Sequence, residues 1–136
     1  MSAELLITVV GAALAIMGVI TFIVRRPKKE LDTTHFQRKW KELQKQCAKT
    51  ETWSLAVIQA DSLLDEALKK KRFKGKTMGE RLVSAQRSLT NNDGVWFGHK
   101  LRNQLVHQTD VALREKDIKH ALIGIGQALK DLGALK

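Results

Sequence analysis

Hydrophobic positions along this chain follow two different patterns. From Leu5 to Val24 the sequence LLITVVGAALAIMGVITFIV is apolar on every side and holds no charged residue. A helix of these twenty residues, at ~1.5 Å each, spans ~30 Å, the thickness of a bilayer's hydrocarbon core. After Asp32 the apolar residues return at spacings of three and four, the period of a helix face, and no stretch alternates like a half-buried strand. Phe36, Trp40, Leu43 and Cys47 mark a first amphipathic helix that Asp32, Thr33 or Thr34 would cap. Trp53, Ala56, Val57, Ala60, Leu63, Leu64, Ala67 and Leu68 mark a second, which ends in a basic run near Gly75. Thr77 and Glu80 form a capping box for a short third helix through Leu82, Ala85 and Leu89. Asn91, Asn92 and Asp93 provide a turn and cap for a fourth, and Ile118, Ala121, Leu122, Ile125, Leu129 and Leu132 define a fifth that Gly133 stops. The expected fold is all-α: a single transmembrane helix, then a compact antiparallel bundle of four to five helices. Residues 1–24 form the anchor, residues 25–33 a basic juxtamembrane linker around Pro27, and residues 34–136 the bundle.

Charge adds an orientation and a compartment. Arg25, Arg26, Lys28 and Lys29 follow the apolar stretch, whereas only Glu4 and the amino terminus precede it. The positive-inside rule therefore leaves the N-terminus outside and the bundle in the cytoplasm. A cleaved signal peptide would carry its basic residues first and a small-x-small site last; here the only Ala-x-Ala, Ala13 to Ala15, falls mid-stretch. Gly11, Ala15 and Gly18 recur at helical spacing, as ordinary small residues of a membrane helix or as a close contact between two anchors. The 136 residues carry a net charge of +10, with Cys47 as the single cysteine. That count excludes an intrachain disulfide and a Cys-based metal site, and it fits a reducing compartment. Residues 1–32 hold four basic and three acidic side chains, so +9 of the +10 belongs to the bundle. No glycine-rich phosphate loop is present, and neither a metal nor an organic cofactor is expected. A domain of roughly 100 residues buries only ~60–65% of its unfolded surface, so it needs efficient packing or a partner subunit.

Candidate chemistry concentrates in the fourth helix, VWFGHKLRNQLVH from Val95 to His107. At ~100° per residue, Phe97, Leu101 and Leu105 gather on a core side. Val95, Trp96, His99, Arg102, Asn103, Val106 and His107 gather roughly opposite, a mixture of apolar and ionisable groups that points to a subunit interface enclosing a polar site. The string Arg102-Asn-Gln-Leu-Val-His107 resembles the Arg, polar residue, spacer, His motif of HEPN domains, small all-helical proteins of which many are metal-independent ribonucleases. The order AVIQADSLLDEAL, TMGERL, HKLRNQLVH is also similar to a group of short bacterial proteins with no assigned function, a likeness that implies a bacterial inner membrane for the anchor but no activity.

The HEPN resemblance implies a homodimer in which two motifs meet, with His107 as general acid and base, Arg102 as phosphate and transition-state stabiliser, and Asn103 as an orienting group. Residue chemistry is compatible with this: the reference pKa of His, ~6.5, lies near working pH, and Arg grips phosphate with a planar fork. One helix sets Arg102 and His107 about 140° apart, so a single copy makes a poor site and two facing copies a better one. His99, one turn before Asn103, joins the same polar stripe as an auxiliary. The competing reading is that Arg, Asn and His bond to helix termini or to Asp61 and Asp65, leaving a non-catalytic module that binds nucleotide, nucleic acid or a protein.

The run Lys69, Lys70, Lys71, Arg72, Phe73, Lys74, Gly75, Lys76 has three readings. Its charges stay solvated at a helix C-terminus, or grip RNA with Phe73 stacked on a base, or press on anionic lipid. Arg38, Lys39, Lys41 and Lys45 lie nearer the anchor in sequence and are the stronger lipid candidates. Asp61, Asp65 and Glu66 lack a third ligand at metal spacing and read as a salt-bridging flank. Expected partners are the membrane through residues 5–24, a second copy of the chain, and RNA; no antitoxin or other protein partner is legible in the residues.

Overall fold

The computed structural model describes residues 2–24 and 30–136, whose regular elements are all helices. Arg25, Arg26, Pro27, Lys28 and Lys29, on which the expected membrane orientation depends, lie outside the described residues. Among the described residues six α-helices run in order: α1 Ala3–Val24, α2 Thr33–Lys45, α3 Trp53–Lys70, α4 Met78–Ala85, α5 Asn92–His107 and α6 Glu115–Asp131. α1 has 22 residues and a mean hydropathy of 2.6 over its most apolar window, long and apolar enough to cross a membrane. None of its residues is buried, so nothing in the bundle covers this apolar surface.

α2, α4 and α5 each begin where a side chain satisfies a free backbone amide. Asp32 accepts the His35 amide at 3.2 Å to start α2, just after Leu31 has buried itself in the core. Asn91 accepts the Gly94 amide at 3.0 Å to start α5. At the head of α4, Thr77 and Glu80 form the expected reciprocal capping box. Thr77→Ala removes the acceptor for the Glu80 amide and is expected to cost about 1 kcal/mol, read as a fall of roughly 5 °C in the thermal midpoint of the helical circular-dichroism signal. α6 closes with Gly133 at φ +80, where the Gly133 amide reaches the Lys130 carbonyl and the Ala134 amide reaches the Leu129 carbonyl. That pattern needs a left-handed residue, which glycine adopts without cost.

α3 is the central element. Its stripe of Ala56, Val57, Ala60, Leu63, Leu64, Ala67 and Leu68 is buried against α2, α4, α5 and α6. Phe36, Leu43, Leu82, Ile125 and Leu129 complete the larger core cluster; Val57, Leu101, Ile118 and Ala121 form a smaller one towards the start of α3. The most extensive contact joins α5 to α6. Small residues permit it: a Cβ on Gly124 would overlap the backbone of Gly94, 2.7 Å from its Cα, and a Cβ on Gly98 would lie 2.9 Å from Ile125 Cδ1.

This close approach corrects the expected orientation of α5. The helix is packed on two sides, with Gly94, Gly98 and Leu101 among its buried residues and Val95 and His99 buried as well. Val95 and His99 therefore belong to the core rather than to an outward mixed face, because the glycines let α5 settle between α6 and α3. Trp96 and Asn103 stay half-buried, while Val106 and His107 are exposed.

Candidate functional site

Asp61 is the organising group of the seam between α3 and α5. It occupies the position four after Val57 and three before Leu64 on the buried stripe, which leaves its carboxylate 2% exposed. Two side chains of α5, three residues apart and thus on one face, reach it. His99 Nδ1 lies 3.1 Å from Oδ1 and 3.3 Å from Oδ2 of Asp61, and Arg102 Nε lies 3.6 Å from Oδ2. A carboxylate only accepts, so His99 Nδ1 carries the hydrogen and donates it, and Nε2 is left as the other ring nitrogen. The edge of Trp96 holds the His99 ring from the side, with centroids 5.9 Å apart.

Arg102 is held differently. Its Nε is buried and has no hydrogen-bond partner, so attraction to Asp61 rather than a direct hydrogen bond retains it, and its Nη1 donates to Asn103 Oδ1 at 3.0 Å. The side chain keeps 33% of its surface exposed. The result is a guanidinium fixed on one side by a buried anion and on the other by an amide, with part of its donor edge facing water. Such a cation is pre-positioned for an oxyanion, because little rotamer freedom remains to be lost on binding.

His107 sits at the last position of α5 and is exposed. Five residues of helix put it ~7.5 Å along the axis and about 140° around from Arg102. Neither a hydrogen bond nor an ion pair joins the two among the described residues, so one copy of the chain brings Arg102, Asn103 and His99 together but leaves His107 apart. The other histidines are engaged. His35 bonds Glu66 at 2.8 Å, His99 bonds Asp61, and His120 stacks on Phe97 with centroids 4.0 Å apart. Among the described residues His107 alone of the four has an imidazole without a partner.

The other carboxylates act as the salt-bridging flank that their spacing suggested. Asp65 receives Arg81 through Nε at 2.7 Å and Nη2 at 3.0 Å, with Lys69 at 3.2 Å. Burial opposes the ionised form of Asp65, but the hydrogen bonds and charges of Arg81 and Lys69 outweigh it and hold the carboxyl below its ordinary value. Glu66 receives His35 and, at 2.9 Å, Lys70. Among the described residues no group of three or more His, Cys, Asp or Glu is placed to hold a metal ion.

These pairs divide the basic run. Lys69 and Lys70 are neutralised by Asp65 and Glu66, whereas Lys71, Arg72, Lys74 and Lys76 have no ion pair among the described residues. Phe73, at the end of α3, is half-buried against the larger core cluster. Asp61 is the residue whose importance spacing understated, although its place on the apolar stripe was the available signal. No family model, curated protein or solved structure matches the chain.

Proposed function

We propose that the chain is a membrane-tethered, HEPN-like endoribonuclease whose site is completed when two copies bring their α5 helices together. The observation that carries this reading is the pairing, on one helix, of a partly exposed guanidinium braced by Asp61 and Asn103 with His107, the one imidazole without a partner among the described residues. α1 is the anchor, and the basic residues that follow it place the bundle on the cytoplasmic side of a bacterial inner membrane. Exposed Val106 beside His107 offers apolar surface for the second copy.

In the assembled site an imidazole takes the proton of the RNA 2′-hydroxyl, and the 2′-oxygen attacks the adjacent phosphorus. The 5′-oxygen leaves with a proton supplied by an imidazolium, giving a 2′,3′-cyclic phosphate and a 5′-hydroxyl. Arg102 of each copy stabilises the charge that grows on the non-bridging oxygens. His107 is the proton carrier because it is exposed and uncommitted; Asn103 orients the guanidinium.

The test is cleavage of mixed RNA by the full chain in detergent with EDTA, beside Arg102→Ala and His107→Ala. Each substitution is expected to lower the rate at least ~100-fold, the usual scale of an acid–base or charge-stabilising contribution, with cyclic-phosphate ends on the wild-type products. The ion pair of Arg102 with Asp61 favours a second reading, a non-catalytic tethered module in which this cluster holds α3 to α5. Intact RNA throughout, with both variants folded, selects that module and rejects the nuclease.

A further inference from the structure

We propose that the loop bearing Lys71, Arg72, Lys74 and Lys76 is the surface by which the bundle docks onto anionic lipid headgroups. The proposal rests on α1 as a membrane span; only its preference for lipid over RNA draws on the place of His107 in the proposed ribonuclease site.

The loop lies at the end of the bundle where the chain arrives from α1. His35 in the first turn of α2 bonds Glu66 in the last turns of α3, and Lys70 Nζ stands 5.5 Å over the Phe36 ring, so the start of α2 and the end of α3 are side by side. Leu31 is buried in the same core. Seven peptide steps separate it from Val24 and extend to at most ~25 Å, so this end of the bundle cannot move far from the headgroups. Lys45, by contrast, is displaced from Thr33 along α2 by ~18 Å, which disfavours the far half of α2 as the lipid contact.

The charge in this loop is also unspent. Four cations without ion pairs among the described residues occupy six positions, while their neighbours Lys69 and Lys70 are already neutralised. Arg72 carries a conformational cost. α3 ends as α6 does: the Arg72 amide reaches the Lys69 carbonyl and the Phe73 amide the Leu68 carbonyl, with Arg72 at φ +63 where α6 has Gly133 at φ +80. Glycine relieves the strain at such a position, so arginine there is accounted for by its charge.

Lipid is a better occupant than RNA because of where the candidate site lies. Gly79, at the start of α4 beside this loop, is close to Trp96 in the second turn of α5, and His107 is ~16 Å farther along that helix. RNA gripped by the loop would be held away from His107, whereas a membrane under the loop leaves the His107 end facing the cytoplasm.

The test reconstitutes the full chain in vesicles of phosphatidylcholine alone or mixed with anionic phosphatidylglycerol. Trypsin cleavage between Lys71 and Lys76 is timed relative to cleavage at Arg114, in the connection at the opposite end. Anionic lipid is expected to slow the relative rate at least ten-fold, with high salt restoring it, since each basic side chain near such a surface contributes roughly five-fold. Arg72→Gly is expected to weaken the protection about five-fold while raising the thermal midpoint, so a lost effect cannot come from misfolding. Equal relative rates in the two lipid compositions overturn the proposal, as does protection by added RNA without protection by anionic lipid. Failure of the chain to float with vesicles of either composition in high salt overturns the anchor and this docking together, and neither result depends on whether RNA is cleaved.

Discussion

Asp61→Ala is expected to destabilise the bundle by roughly 3–5 kcal/mol, the cost of removing one partner from a buried ion pair. The carboxylate is 2% exposed and faces His99 Nδ1 and Arg102 Nε. Without it, two donors remain in the α3–α5 seam, and Arg102 Nε has no hydrogen-bond partner to fall back on. Against a typical total of ~5–15 kcal/mol for a domain, such a loss moves the urea midpoint of the full chain in detergent by a large fraction of its value. A change below about 1 kcal/mol would mean that water replaces the carboxylate and that Asp61 does not hold the seam. Asp61→Asn separates packing from charge: it keeps the volume and one acceptor but not the attraction on Arg102. Its stability is expected to fall less than that of the alanine variant, while any RNA cleavage falls towards the level of Arg102→Ala.

Gly124→Ala is expected to produce a loss of similar size for a different reason. The added methyl would overlap the backbone of Gly94, and backbone cannot rotate aside as a side-chain tip can. Relief requires α5 and α6 to part along their most extensive contact, placing the cost near the ~3 kcal/mol upper end of ordinary overpacking. The measurement is the thermal midpoint, expected to fall by 10 °C or more. Gly11→Ala provides the contrast, since nothing lies within 4 Å of that position, and it is expected to leave the bundle's midpoint unchanged. Because Gly94 and Gly98 seat α5, Gly124→Ala is also expected to displace His99 and Arg102 from Asp61, lowering any RNA cleavage before global unfolding.

Much of the fold was legible because it depends on local chemistry and helical period. The Thr77–Glu80 capping box, the Asn91 cap, the Asp32 cap and the Gly133 stop each act within a few residues, so the string that encodes them also displays them. The apolar stripe of α3 was equally plain, since buried residues must recur every three or four positions on a helix packed along one face. α5 was harder. A helix contacted on two sides has no single hydrophobic direction, and the glycines that seat it against α6 contribute no hydrophobic signal at all. Its projected mixed face accordingly divided, with Val95 and His99 entering the core while Val106 and His107 remained outside.

The candidate site divides in the same way. Arg102, Asn103 and His107 were recognisable as a motif within six residues, but Asp61, which fixes the first of them, lies far away in sequence and looked like one of three flanking carboxylates. The sequence by itself determined the apolar length of α1, an all-helical bundle of four to five helices with most of its caps, and the basic excess of the bundle, because each follows from composition or from spacing within one segment. Only the tertiary structure decided which carboxylate meets which cation, which histidine stays free, and which cations stand unpaired at the end where the chain leaves α1. Those outcomes depend on two helices distant in sequence meeting at one register, and that register is set by close packing of the whole core, to which no single segment holds the answer.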